Sequence, residues 1–232
     1  MSVAGQSQET SELTSAARGR RASYAAGARC LSGREPVLAR LAAAAGPPRL
    51  GPRLESPFAA LVRSVLHQQL AGPAAAAIHG RLVAALDGAV TPAALGRVTS
   101  ERLREIGLSG GKAASLLDLA AKVGSGQVVL EPRRLARRSD EELIAELTKV
   151  RGIGRWTVQM LLMFQLRRLD VWPAGDLGVR RGFGLAFDVP MPSERELEAK
   201  GTAFVPYRSV AAWYCWRACE LYGGAGPNAL TR

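Results

Sequence analysis

The chain has little cysteine, almost no lysine and no long apolar run, and each shortage narrows what it can be. Three cysteines in 232 residues are too few for a disulfide framework and fit a reducing, cytoplasmic compartment. Nor do they make a metal centre. Cys215 and Cys219 share a helical face, Cys30 is distant, and a zinc site or iron–sulfur cluster takes about four ligands. No apolar stretch approaches the ~18 residues of a membrane helix, and there is no secretory apolar segment. Strand-like alternation is almost missing, with Gln127–Leu130 the one β-flavoured stretch. Lysine supplies only four of the 31 basic side chains, and none lies between Lys149 and Lys200.

Arginine is what the chain has in excess. The formal net charge is +11, which points to a polyanionic partner, nucleic acid first and an anionic membrane surface second. A hydrophobic content of 47% supports a buried core and excludes wholesale disorder. At ~150 residues per domain, the length allows one large domain or two small ones. Residues 1–30, rich in Ser, Ala, Gly and Arg, show no apolar period and read as a disordered basic tail. Glu9 and Glu12 argue against an organelle transit peptide.

Residues 31–232 read as one all-α region of roughly ten helices with short connections. Pro36–Ala45 is opened by its proline. Pro57–Leu70 is amphipathic, and a helix from Gly72 runs to about Leu86. Thr99 or Ser100 caps Glu101–Ile106, and Ser109-Gly110-Gly111-Lys112 leads into Ala113–Val123. Ser139-Asp140-Glu141-Glu142 resembles a capping box for Leu143–Val150. Further helices are expected from Gly154 to about Leu166, at Leu177–Phe187, at Ser193–Gly201 and at Ser209–Tyr222.

The most informative stretch is Val150-Arg151-Gly152-Ile153-Gly154-Arg155-Trp156-Thr157, within a hairpin at 143–166. One helix ends, two glycines bracket one apolar residue, and another helix begins. Its amides and helix N-terminus face outward together, which makes an anion site flanked by Arg151 and Arg155. A tight turn between helices is the plainer reading, but the basic chain favours phosphate binding. Asp176 stands at the start of a helix and reads as an N-cap. Periodicity alone makes Trp156 and Trp216 core residues.

These motifs resemble a known family. V-R-G-I-G-R-W-T is similar to the helix-hairpin-helix of DNA base-excision glycosylases. Asp170–Arg181 resembles that superfamily's Gly/Pro-rich loop with its essential aspartate. Ser56–Leu70 resembles the helix carrying its DNA-wedging loop, and Pro206–Ser209 with Trp213–Arg217 resembles the C-terminal helix of the alkylated-base branch. From about Pro57 to Tyr222 the chain is similar to the DNA-3-methyladenine glycosylase II family, in a compact form without the N-terminal β-rich domain. The resemblance implies a two-lobed helical fold with the active-site cleft between the lobes.

It also implies roles. Asp176 would be catalytic, stabilising the positive charge that grows on the sugar as the base departs. Trp156 and Trp216, with Phe58 and Tyr214 as walls, would grip the flipped base. Gln68 and Gln69 would form the DNA wedge. Arg151, Gly152, Ile153, Gly154, Arg155, Thr157 and Arg180 would bind phosphates. Trp172 and Trp213 are left as core. No cofactor is required and no metal site is expected, although the family holds a monovalent cation on hairpin carbonyls. The expected protein is a monomeric monofunctional glycosylase acting on alkylated bases in double-stranded DNA, associated with the nucleoid of a bacterium and not with a membrane. Two rivals are a non-catalytic helix-hairpin-helix DNA-binding protein and a bifunctional glycosylase/lyase. The lyase needs a lysine nucleophile two residues after the second hairpin glycine, where this chain has Trp156.

Overall fold

A computed structural model describes residues 23–50, 55–68, 70 and 72–223. In chain order its helices are α1 (Tyr24–Ser32), α2 (Pro36–Ala45), α3 (Pro57–His67), α4 (Gly72–Ala85), α5 (Pro92–Leu95), α6 (Ser100–Glu105) and α7 (Gly110–Gly124). They continue with α8 (Pro132–Arg137), α9 (Asp140–Leu147), α10 (Arg155–Met160), α11 (Leu177–Phe187), α12 (Glu194–Lys200) and α13 (Arg208–Tyr222). A π-helical turn, Leu161–Gln165, extends α10, and a 3-10 turn, Gly201–Phe204, follows α12. No strand occurs among the described residues, including Gln127–Leu130.

Capping chemistry sets most boundaries. Ser56, Thr91, Thr99 and Ser109 each accept an amide of the first turn they precede. Ser139 with Glu142, and Ser193 with Glu196, close full capping boxes. Three helices go beyond the sequence expectation. The segments α5 and α8 are four and six residues long, too short for a period to register. The third, α1, starts inside the expected N-terminal tail and corrects its boundary; residues 1–22 lie outside the described residues. Its buried face is Tyr24, Gly27, Ala28 and Leu31, and the two small residues among these four leave a faint hydrophobic signal. A Cβ on Gly27 would lie 2.8 Å from the Tyr207 ring, so smallness is what lets α1 dock.

Two groups of helices result. The first, α1, α2, α11, α12 and α13, packs around the α11–α13 pair. The second comprises α3 to α10, with α3 touching α4, α7 and α10. The α11–α13 contact is close because a Cβ on Gly182 would fall 1.8 Å from the Cys215 carbonyl oxygen. A continuous apolar core joins both groups. Cross-links reinforce it: the Tyr24 hydroxyl donates to the Met163 and Arg168 carbonyls at 3.2 and 3.0 Å, and the Gln159 amide donates to the Trp172 carbonyl at 3.1 Å. Burial pushes the Tyr24 phenol up to about 12. No described helix is long and apolar enough to cross a membrane.

Candidate active site

The two helix groups face each other across Asp176. This residue N-caps α11, and its Oδ1 accepts the Val179 amide at 2.8 Å. Two indoles converge on the same carboxylate from opposite groups. Trp156, in the first turn of α10, donates its Nε1–H to Oδ2 at 2.6 Å. Trp216, on α13, donates to Oδ1 at 2.9 Å. The approach of Trp216 requires Gly178, because a Cβ there would lie 2.8 Å from the indole. Three N–H donors therefore fix the carboxylate's position and orientation at a helix N-terminus.

A cavity of 610 Å³ lies between α3, the α10 π-turn and α13, and its lining includes Trp156 but not Asp176. Trp156, Phe164 and Trp213 supply aromatic wall, and Met160 and Leu161 add apolar surface. Its polar rim includes Glu55 and Arg63, paired at 2.8 Å. Trp156 thus reaches both the cavity and the carboxylate. Trp216 instead stacks on Phe164, with ring centroids 5.7 Å apart, and is not part of the cavity wall.

Several expected pocket residues sit elsewhere. Phe58 is buried in the core and borders a different cavity, with Val90, Pro92 and Leu130. Tyr214 is fully buried, and its hydroxyl donates to the Gly46 carbonyl at 3.1 Å, tying α13 to the end of α2. Its phenol is pushed up by burial. Trp213, expected in the core, reaches the cavity while Tyr214, beside it on α13, turns inward. Trp172 is core, donating to the Leu197 carbonyl at 2.8 Å. Periodicity marks an apolar face but not which of two adjacent aromatics meets a cavity. Phe164 closes the apolar run Met160–Phe164, a signal for burial and not for a site.

The hairpin places α9 and α10 around a turn at Arg151–Gly154. Gly152 has φ +71°, and a Cβ on it would collide with Ser115 Oγ at 2.0 Å. Gly154, at φ −95°, has nothing within 4 Å of a built Cβ and leads into a helix start capped by no side chain. Arg151, Gly152, Gly154 and Arg155 are exposed. Ile153 is not: its side chain is buried and its amide closes the turn on the Val150 carbonyl at 3.1 Å. Thr157 is also buried. Arg180 spends its Nε on the Pro192 carbonyl at 2.8 Å, which ties it to the loop before α12. The Arg151 amide donates to Asp118 at 2.7 Å, and Asp118 pairs with Lys122 at 2.6 Å. The Lys122 hydrogen bond holds the Asp118 carboxyl below the usual carboxylate range.

Gln68 caps the C-terminal end of α3 and donates its carboxamide to the Gly152 carbonyl and the Thr157 hydroxyl, each at 3.0 Å. Gln69 lies outside the described residues. The Cys215 thiol is buried and pushed up by that burial, and Cys219 donates to the Gly178 carbonyl at 3.3 Å. No cluster of His, Cys, Asp and Glu suited to a metal ion occurs among the described residues.

Residues 62–206 match the family model described as HhH-GPD superfamily base excision DNA repair protein. DNA-3-methyladenine glycosylase 1 of Schizosaccharomyces pombe is 37% identical over 170 residues, which is 72% of this chain and 74% of that protein. A solved structure of an S. pombe 3-methyladenine DNA glycosylase in complex with abasic DNA has a TM-score of 0.77 at 36% identity, covering 84% of this chain and 96% of that one. A DNA-3-methyladenine glycosidase from Bacillus halodurans gives 0.73 at 33% identity, covering 85% and 90%.

Proposed function

The chain belongs to the HhH-GPD superfamily of base excision DNA repair proteins, and we propose that it is a monofunctional DNA glycosylase that removes alkylated bases of the 3-methyladenine and 7-methylguanine type from double-stranded DNA. The observation that carries this reading is Trp156, which shares one indole between the Asp176 carboxylate and the cavity wall. A flipped cationic purine lying against that ring would meet an electron-rich face. Its glycosidic bond would then lie near a carboxylate already fixed in place.

Asp176 is the catalytic residue. As the base leaves, the deoxyribose gains positive charge, and the fixed carboxylate stabilises it without reorganising. Oδ1 already accepts two N–H groups and Oδ2 accepts one, so Oδ2 keeps the greater acceptor capacity for the sugar or the attacking water. A single carboxylate suffices because the alkylated leaving group is already cationic. Water is the only co-reactant. The exposed hairpin with Arg151 and Arg155 binds phosphates, consistent with a net charge of +11. A monovalent cation at the hairpin would share its carbonyls with Lys122 and Gln68, which donate to those of Lys149 and Gly152; no step runs through it. A double-stranded DNA substrate supports the expectation of a nucleoid-associated enzyme.

The test is single-turnover release of base from duplexes carrying one lesion each. Wild type is expected to release 7-methylguanine, and Asp176→Asn to be slower by about a hundredfold or more, on the order of 3 kcal/mol of lost stabilisation. Binding of damaged duplex should survive. Turnover by the Asn variant within about tenfold of wild type would remove Asp176 from the chemistry.

A further inference from the structure

The C-terminal end of α3 and the hairpin belong to segments 84 residues apart, yet one side chain ties them together. The Gln68 carboxamide donates to the carbonyl of Gly152 and to the hydroxyl of Thr157, each at 3.0 Å. The Gly152–Ile153 peptide is thus held at both ends, its carbonyl by Gln68 and its amide by the Val150 carbonyl. A second tether lies close by in sequence. Lys112, in the first turn of α7, donates to the Leu66 carbonyl at 2.8 Å. The same helix carries Ser115, whose Oγ would meet any Cβ placed on Gly152. The end of α3, the start of α7 and the hairpin turn therefore meet at one junction.

We propose that Gln68 is a positioning residue that locks the C-terminal end of α3 to the hairpin, so that the phosphate-binding turn meets the duplex with its geometry already fixed. The proposal rests on the glycosylase reading and changes the role expected of Gln68, from insertion into DNA to bracing the hairpin. Its chemistry fits the brace. A carboxamide offers two N–H donors, and the Gly152 carbonyl and Thr157 hydroxyl both accept from the same nitrogen. Thr157 is 1% exposed, so it cannot touch DNA, and any effect of its hydroxyl on DNA chemistry must pass through its protein partners.

A double-mutant cycle tests this. Gln68→Met keeps the length of the side chain and removes its donors. Thr157→Val keeps the shape and removes the acceptor, and Thr157→Ser keeps the acceptor. Each of the first two should slow single-turnover excision by about five- to tenfold. The double variant should be no slower than the worse single one, and Thr157→Ser should restore most of the rate. Hydrogen exchange of the hairpin amides without DNA should quicken in Gln68→Met and Thr157→Val, a readout that needs no excision. A Thr157→Val protein that folds, protects its hairpin and excises like wild type, beside a slow Gln68→Met, would overturn the brace and return Gln68 to direct DNA contact. Additive losses in the cycle would do the same. Should Thr157→Val fail to fold, unchanged hairpin exchange in Gln68→Met alone would refute the proposal. Failure of wild type to release any base, with the hairpin exchange behaving as expected, would refute the glycosylase reading and leave the brace standing.

Discussion

Trp156 and Trp216 both donate to Asp176, but only Trp156 borders the cavity. Their substitutions should therefore separate. Trp216→Phe removes one donor to the carboxylate, leaves the cavity wall intact and keeps an aromatic against Phe164. Hydrogen bonds to a charged group are worth roughly 1.5–3 kcal/mol, so excision should slow by at least about tenfold while affinity for a damaged duplex stays close to wild type. Trp156→Ala should weaken both, because it deletes the donor and the cavity-wall face proposed to hold the base. Parallel measurement of equilibrium affinity and single-turnover rate checks the pair. Equal loss of affinity in the two variants would mean that Trp216, too, meets the base.

Helices and turns show which glycines the fold needs and which the ligand needs. Gly152 combines a left-handed backbone with a blocked Cβ position. Gly152→Ala should therefore cost about 1–3 kcal/mol and lower the melting temperature by several degrees. Gly154 has neither constraint in the DNA-free protein, so Gly154→Ala should melt like wild type. A bulkier residue there should weaken every duplex, damaged or not, by crowding the phosphate. Loss confined to damaged DNA would show that the hairpin has been given the wrong role. Gly182→Ala should be the most destabilising of the three, since the neighbour it would strike is the α13 backbone, which has no rotamer to yield. Thermal melting ranks them.

Much at this scale was legible in the sequence. Serine, threonine, aspartate and proline mark helix starts through local hydrogen bonds and a fixed φ, so α2, α6, α9 and α11 fall close to where their caps place them. The helix α1 was not legible, because Gly27 and Ala28 make up half of its buried face and it docks through long-range packing on α2 and α13. Within the site, local features mark Asp176 as a helix cap, but a site role for Asp176 and for Trp156 came only with the family resemblance, since periodicity alone makes Trp156 a core residue. Phe58 and Tyr214 went inward and Trp213 outward, since the choice among neighbouring aromatics is made by helices distant in the chain.

At the scale of the molecule, the excess of positive charge and the exposed hairpin predict phosphate binding without sequence readout. Affinity for undamaged duplex should fall linearly with salt on logarithmic axes, with a slope reporting several phosphate contacts. A flat dependence would remove the electrostatic footprint on which the reading relies. The hairpin also decides the class of reaction. Trp156 stands where the resemblance puts the lysine of a lyase, and its indole nitrogen, whose lone pair belongs to the ring and whose N–H donates a hydrogen bond to Asp176, cannot form a Schiff base.

The most direct test follows both products of one reaction, the free base and the DNA strand, on a duplex carrying 7-methylguanine, with borohydride present in a parallel sample. The account predicts release of the base, an abasic strand that stays intact until alkali or an abasic-site endonuclease is added, and no covalent adduct. A nicked strand with a borohydride-trapped protein–DNA adduct in good yield would contradict the monofunctional assignment, and no release of any alkylated base would contradict the glycosylase itself.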